Sequence, residues 1–185
     1  NGTYAAAAAT ACTECAAGKA DTDTNPATQC AGCSAGSYAS AGVVVCSTCP
    51  GGKADLDSNP ATACSPCSTG AFSGAGSTSC TNCTSGRADT DSNPATACVK
   101  CGAGSYTAVA QASCHTCVAG TADLDSNAST PCAACQPGFY AAAEVTSCTH
   151  CPAGYIDEDS NPATPCHTNG SACEVGSHAE AGSTS

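Results

Sequence analysis

Nineteen of the twenty cysteines follow one 34-residue period. Cys12, Cys46, Cys80, Cys114 and Cys148 are each 34 residues apart. So are Cys15, Cys49, Cys83, Cys117 and Cys151, which close the CxxC pairs. A third series runs Cys30, Cys64, Cys98, Cys132 and Cys166, and a fourth Cys33, Cys67, Cys101 and Cys135. In the last repeat the fourth place is displaced, and CHTNGSAC runs from Cys166 to Cys173. A fixed period of this length marks a repeated supersecondary unit that buries its apolar face against its neighbours. A single globule is therefore not expected.

The other residues keep the same step. Each repeat reads CxxC-xxG-xADxDSNPAT-xCxxC-xxGxY, then a variable Ala/Ser/Gly/Val stretch. Tyr4, Tyr38, Phe72, Tyr106 and Tyr140 form one series, read as structural packing. Each repeat thus holds two half-repeats that begin C-x-x-G, as at Cys15–Gly18 and Cys33–Gly36. The repeats span 12–45, 46–79, 80–113, 114–147 and 148–185, after a partial repeat over 1–11. Both ends fall inside loops by this register. The chain is expected to be a slice of a longer array, with a Cys two residues before Asn1 and another after Ser185.

Composition explains why cysteine must carry the fold. The hydrophobic fraction is 42%, but Met and Trp are absent and there are only 5 Tyr and 2 Phe. Most of that fraction is Ala and Cys, whose side chains bury little area, and burial stabilises by about 25 cal/mol per Å². Gly, Pro, Asn and Asp punctuate every repeat, and no helical periodicity is sustained. The expected fold is small and disulfide-rich: an elongated, solenoid-like array of cysteine-rich repeats, built of short β-ribbons and turns with little helix. Short hairpins are expected over 36–46 and 104–114, and short helical turns over 5–9 and 141–143.

Charge excludes partners. Four Lys and Arg face fifteen Asp and Glu, a net −11. Nucleic-acid binding needs a basic footprint, which this chain lacks. An anionic membrane surface would repel it. No apolar run approaches the ~20 residues that span a bilayer, so no membrane insertion is expected in this segment.

CxxC-x14-CxxC lies near zinc-ribbon spacing. Disulfides are preferred, because the 12-residue gaps are as regular as the 14-residue gaps and zinc would leave them unclosed. Two pairings remain open. A ladder joins Cys15–Cys30, Cys33–Cys46, Cys49–Cys64, Cys67–Cys80, Cys83–Cys98, Cys101–Cys114, Cys117–Cys132, Cys135–Cys148 and Cys151–Cys166, leaving Cys12 and Cys173 unpaired. A crossed scheme joins Cys12 with Cys30 and Cys15 with Cys33, and so on. The ladder is favoured because it accounts for both half-repeats starting alike.

The acidic tract offers a second choice. Asp21/Asp23, Asp55/Asp57, Asp89/Asp91, Asp123/Asp125 and Asp157/Asp159 each precede an Asn two residues on. Alternating oxygen side chains fit the first half of a calcium loop, though the Gly and the bidentate Glu of an EF-hand are missing. The competing reading is an Asx-turn series. Calcium, if bound, would be structural.

Four sequons mark possible N-glycans, at Asn1, Asn82, Asn127 and Asn169. O-linked glycans on the many Ser and Thr are a further expectation. No catalytic constellation is found. His115, His150, His167 and His178 are not periodic, and a sequence that repeats everything five times offers no unique cleft. The chain is expected not to be an enzyme.

CxxC-xxG…CxxC-xxGxY resembles the ephrin-receptor-like cysteine-rich repeat, itself similar to the cysteine-rich modules of tumour-necrosis-factor receptors. The resemblance covers the whole chain. The narrower tract, CPAG-xADxDSNPATxCxxCxxGxY, resembles repeats in large extracellular proteins of protists and algae, among them ciliate surface antigens and mastigoneme-like flagellar-hair proteins. The displaced Cys173 departs from that pattern. The resemblance implies a building block of an extracellular filament or flagellar hair, with copies of itself or sister chains as partners. The alternative is a spacer or ligand-binding stalk of a surface receptor or antigen. Either places the chain outside the cell, at the cell or flagellar surface.

Overall fold

A computed structural model describes residues 2–157, 159–167, 180–182 and 184. Among these there is no helix. Nine two-stranded antiparallel ribbons carry the secondary structure, and every strand is two residues long. Two compact units divide the chain: Asn1–Cys83 with Asp89–Cys98, and Thr84–Ala88 with Val99–Ser185.

The first unit holds five ribbons. Thr3–Tyr4 pairs with Thr13–Glu14, Lys19–Ala20 with Ala31–Gly32, and Ser37–Tyr38 with Ser47–Thr48. Lys53–Ala54 pairs with Ser65–Pro66, and Ala71–Phe72 with Thr81–Asn82. The second unit holds four: Arg87–Ala88 with Val99–Lys100, Ser105–Tyr106 with His115–Thr116, Thr121–Ala122 with Ala133–Ala134, and Phe139–Tyr140 with Thr149–His150. A tenth place is reduced to a single bridge, Ile156 to His167.

In every ribbon the returning strand is the two residues inside a CxxC. Both are exposed in all nine cases. This explains why those positions hold such different pairs, from Thr-Glu to Ser-Pro to Val-Lys. Pro66 is tolerated because a two-stranded ribbon consists only of edges.

The disulfides form the ladder and not the crossed arrangement. Cys15–Cys30, Cys33–Cys46, Cys49–Cys64, Cys67–Cys80 and Cys83–Cys98 lie in the first unit. Cys101–Cys114, Cys117–Cys132, Cys135–Cys148 and Cys151–Cys166 lie in the second. Cα–Cα separations of 5.6–5.8 Å are those of ordinary bridges. Cys12 is exposed and forms no disulfide. Cys173 lies outside the described residues.

The interior is correspondingly thin. Its most deeply buried members include Cys15, Cys49, Cys83, Cys117 and Cys151, at 0–1% exposure, with Ala20, Ala54, Ala88 and Ala122 at 0% and Thr107 at 1%. The strand alternation delivers that Ala: Lys19, Lys53 and Arg87 point out while the next residue points in. Each buried Cys is also held through its backbone. Cys49 donates N–H to the Gly36 carbonyl at 2.8 Å and accepts from Gly76 N–H at 2.8 Å. These chains approach so closely at Gly36 that an added Cβ would overlap the Gly76 carbonyl oxygen. Gly36 also has φ +75°, a conformation L side chains rarely adopt.

The expected helical turns are absent. Turns form at residues 7–8 and 143–144, with Ala8 at φ 67° and Glu144 at φ 65°. Isolated runs that short do not repay helix nucleation, and here the backbone is taken by bonds to the acidic turn that follows. Ala5 N–H donates to the Pro26 carbonyl, and Ala141 N–H to the Pro162 carbonyl.

Candidate functional site

The acidic tract is the one chemically distinctive feature that recurs in all five repeats. Its two Asp series do different things. The second Asp of each pair is exposed and builds an Asx turn. Asp57 accepts the Asn59 backbone N–H at 3.1 Å and the Thr62 hydroxyl at 2.8 Å. Asp23, Asp91, Asp125 and Asp159 accept the corresponding Asn N–H and Thr hydroxyl. The Asn then repeats the device. Its side-chain oxygen accepts the backbone N–H two residues on, at 3.1 Å in every repeat. Between them Thr24, Ser58, Ser92, Ser126 and Ser160 sit at φ 50–54°. A non-glycine residue there is strained, and the two interlocked side-chain turns hold it.

The first Asp is buried. Asp21, Asp55, Asp89, Asp123 and Asp157 are 4–7% exposed. Asp55 reaches across to accept the Gly36 N–H at 3.4 Å, while Asp89 and Asp123 accept from Asn93 and Asn127 in their own turns.

Electrostatics follow this division. Hydrogen bonds to the ionised form hold Asp23, Asp57, Asp91, Asp125 and Asp159 below the ordinary carboxylate value. The Asn backbone N–H is the larger cause for Asp23, Asp91 and Asp159; the Thr hydroxyl is for Asp57 and Asp125. Asp89 moves the other way. Burial raises it first, and its neighbour Asp91 adds to the rise.

The turn is also a joint. Its Pro or Ala carbonyl accepts the N–H that follows the aromatic position of the preceding repeat: Ala39 to Pro60, Ser73 to Pro94, Thr107 to Ala128, each 2.9 Å. The Pro and the following residue pack on a glycine of the preceding repeat. An added Cβ at Gly52 would lie 3.1 Å from Pro94 Cγ and 3.1 Å from Ala95 N.

The Asx-turn arrangement is therefore what the tract contains. Among the described residues no three His, Cys, Asp or Glu side chains come together as a metal-ion site. The acceptor oxygens a calcium ion would use serve the turn itself. The sequons separate as well. Asn82 lies in a strand inside a CxxC, and Asn127 at an acidic turn. Asn1 and Asn169, with Glu158 and His178, lie outside the described residues. Two ring contacts among the described residues are cross-strand and involve His: Tyr106 with His115 at 5.8 Å and Phe139 with His150 at 4.6 Å. Four surface grooves among the described residues are small, about 150–320 Å³ each. Sequence reasoning missed the split between the two Asp series. The signal was available: Thr28, Thr62, Thr96, Thr130 and Thr164 always follow the second Asp by five residues.

No family model matches the chain, and no curated protein matches it.

Proposed function

We propose that this chain is a structural segment of an extracellular filament or flagellar hair, of the mastigoneme-like kind its repeat resembles. It has no catalytic role, and it is glycosylated. The observation that carries this reading is the joint. One disulfide per half-repeat and one identical acidic-turn dock per repeat recur along each compact unit. Nearest-neighbour units of this kind add stability by simple propagation, which suits a mechanical element.

The disulfide-bonded tandem repeat belongs to an oxidising, extracellular or secreted environment. Among the described residues no helix is long and apolar enough to cross a membrane. Within that setting, copies of the chain or sister chains are the partners. The test is electron microscopy of native material carrying this sequence, with immunogold against the 12–45 repeat. Label along fibres is the expected result. Label on a cell-surface stalk, with no fibres, would overturn the filament reading in favour of a receptor or antigen spacer.

A further inference from the structure

The acidic turns are alike in four repeats and altered in one. Asn25, Asn59, Asn93 and Asn161 are each followed by Pro and Ala, whereas Asn127 is followed by Ala128 and Ser129. That exchange removes the one residue that forbids N-glycosylation after Asn and supplies the hydroxyl that permits it. The turn survives the exchange. Ser129 N–H still donates to Asn127 Oδ1 at 3.1 Å, and Ala128 carbonyl still accepts Thr107 N–H at 2.9 Å.

We infer that Asn127 is the N-glycan acceptor of the described chain and that Asn82 is not. The inference rests on the extracellular reading above, because the acceptor must pass through a secretory compartment. The Asn127 side chain is exposed, and its amide oxygen is used by the turn. Its Nδ2 makes no hydrogen bond to the described residues. The atom that is modified is thus the atom the fold leaves outward. A groove of about 320 Å³, lined by Ser85, Gly86, Arg87, Lys100, Ser126 and Asn127, opens beside it. Its hydroxyls and cationic side chains are suitable hydrogen-bond partners for the first sugar. Asn82 is exposed as well, but its backbone setting differs. It is held extended in a ribbon opposite Ala71, and the middle residue of its sequon is Cys83, drawn to 1% exposure in the Cys83–Cys98 bridge.

The chemistry needs a donor of named class. Nδ2 of Asn127 attacks C1 of an oligosaccharide linked to a polyprenyl pyrophosphate. The C1–O bond breaks, the lipid pyrophosphate leaves, and one Nδ2 proton passes to base on the transferase. The Ser129 hydroxyl becomes bonded to the Ser85 carbonyl, at 3.0 Å and 44 residues away, only in the folded chain.

The test is secretion of the full chain from a glycosylating eukaryotic cell, followed by peptide mapping with and without glycan-releasing amidase. Among the described residues the expected result is one N-glycan, at Asn127, with release leaving Asp there. Ala128→Pro restores the turn of the other four repeats, so it should abolish the glycan with all nine bridges intact. Pro94→Ala with Ala95→Ser should create a new glycan at Asn93. Bridged but unmodified Asn127, or a glycan at Asn82 instead, would overturn the inference and leave the extracellular reading standing. Secreted chain with reduced cysteines and no glycan would overturn both.

Discussion

Replace Cys49 and Cys64 together with Ala, and separately replace Cys67 and Cys80. The two bridges span 15 and 13 residues. Chain entropy assigns each about 3 kcal/mol, with a difference of only about 0.1 kcal/mol between them. Burial distinguishes them. Cys49 is 0% exposed and Cys64 9%, while Cys67 and Cys80 are half-buried. Removing the inner pair also leaves a void, which adds on the order of 1 kcal/mol. Global unfolding is a poor assay for an array whose repeats open separately. Native-state hydrogen exchange reads local opening instead. The probe amides are Cys67 N–H, bonded to the Gly52 carbonyl at 2.9 Å, and Cys83 N–H, bonded to the Gly70 carbonyl at 2.8 Å. About 3 kcal/mol corresponds to roughly 100-fold faster exchange, since every 1.4 kcal/mol is tenfold. Cys67 N–H should lose more than that in the first variant, and Cys83 N–H about that much in the second. Cys135 N–H, in the other compact unit, should be unchanged in both. Equal losses would refute the burial argument. Losses below tenfold in both would refute the claim that the bridges replace a core.

Gly36→Ala should destabilise its half-repeat by over about 1 kcal/mol, because φ is +75° and the new methyl would overlap a carbonyl. Gly32→Ala is the matched control: nothing lies within 4 Å of its added Cβ, and no loss is expected by the same exchange measurement. Thr62→Val removes the largest cause of the low Asp57 pKa, so carboxyl NMR titration should find Asp57 moved up towards its ordinary 3.8. An unmoved Asp57 would contradict the hydrogen bond. The five lowered carboxylates contribute stability above their unfolded pKa, about 3.9, and lose it as pH falls through the lower folded values. Asp89, being raised, acts in the opposite sense and loses a penalty on protonation. Exchange protection at the acidic turns should therefore fall below about pH 4 in four repeats and least in the Asp89–Asp91 repeat.

Much of this was legible in the residues. The 34-residue period implied a repeated unit, and the scarcity of large side chains implied that sulfur would replace a core. The acidic tract read as a turn because Asp and Asn next to Pro have local backbone partners within two residues. Local chemistry of this kind needs no knowledge of the rest of the chain. The failures lie where distance in space mattered. The Ala run at 5–9 looked compatible with a helical turn, yet Ala5 N–H is claimed by Pro26. The hairpins expected over 36–46 and 104–114 stop short of their returning strands, Ser47–Thr48 and His115–Thr116.

What the sequence alone determined is the period, the two half-repeats and the reliance on cysteine. Each follows from residue type and spacing along one chain. Tertiary structure decided among arrangements that spacing leaves degenerate. Ladder and crossed pairings draw on the same CxxC motifs, and only the approach of Cys49 to Cys64, with Cys49 pinned between Gly36 and Gly76, selects one. It also decided which Asp of each pair is buried. Asp55 and Asp57 are alike as residues, but one meets an N–H 19 residues away and the other closes its own turn. A carboxylate's environment depends on neighbours brought by the fold, so chemically identical residues two places apart acquire opposite roles.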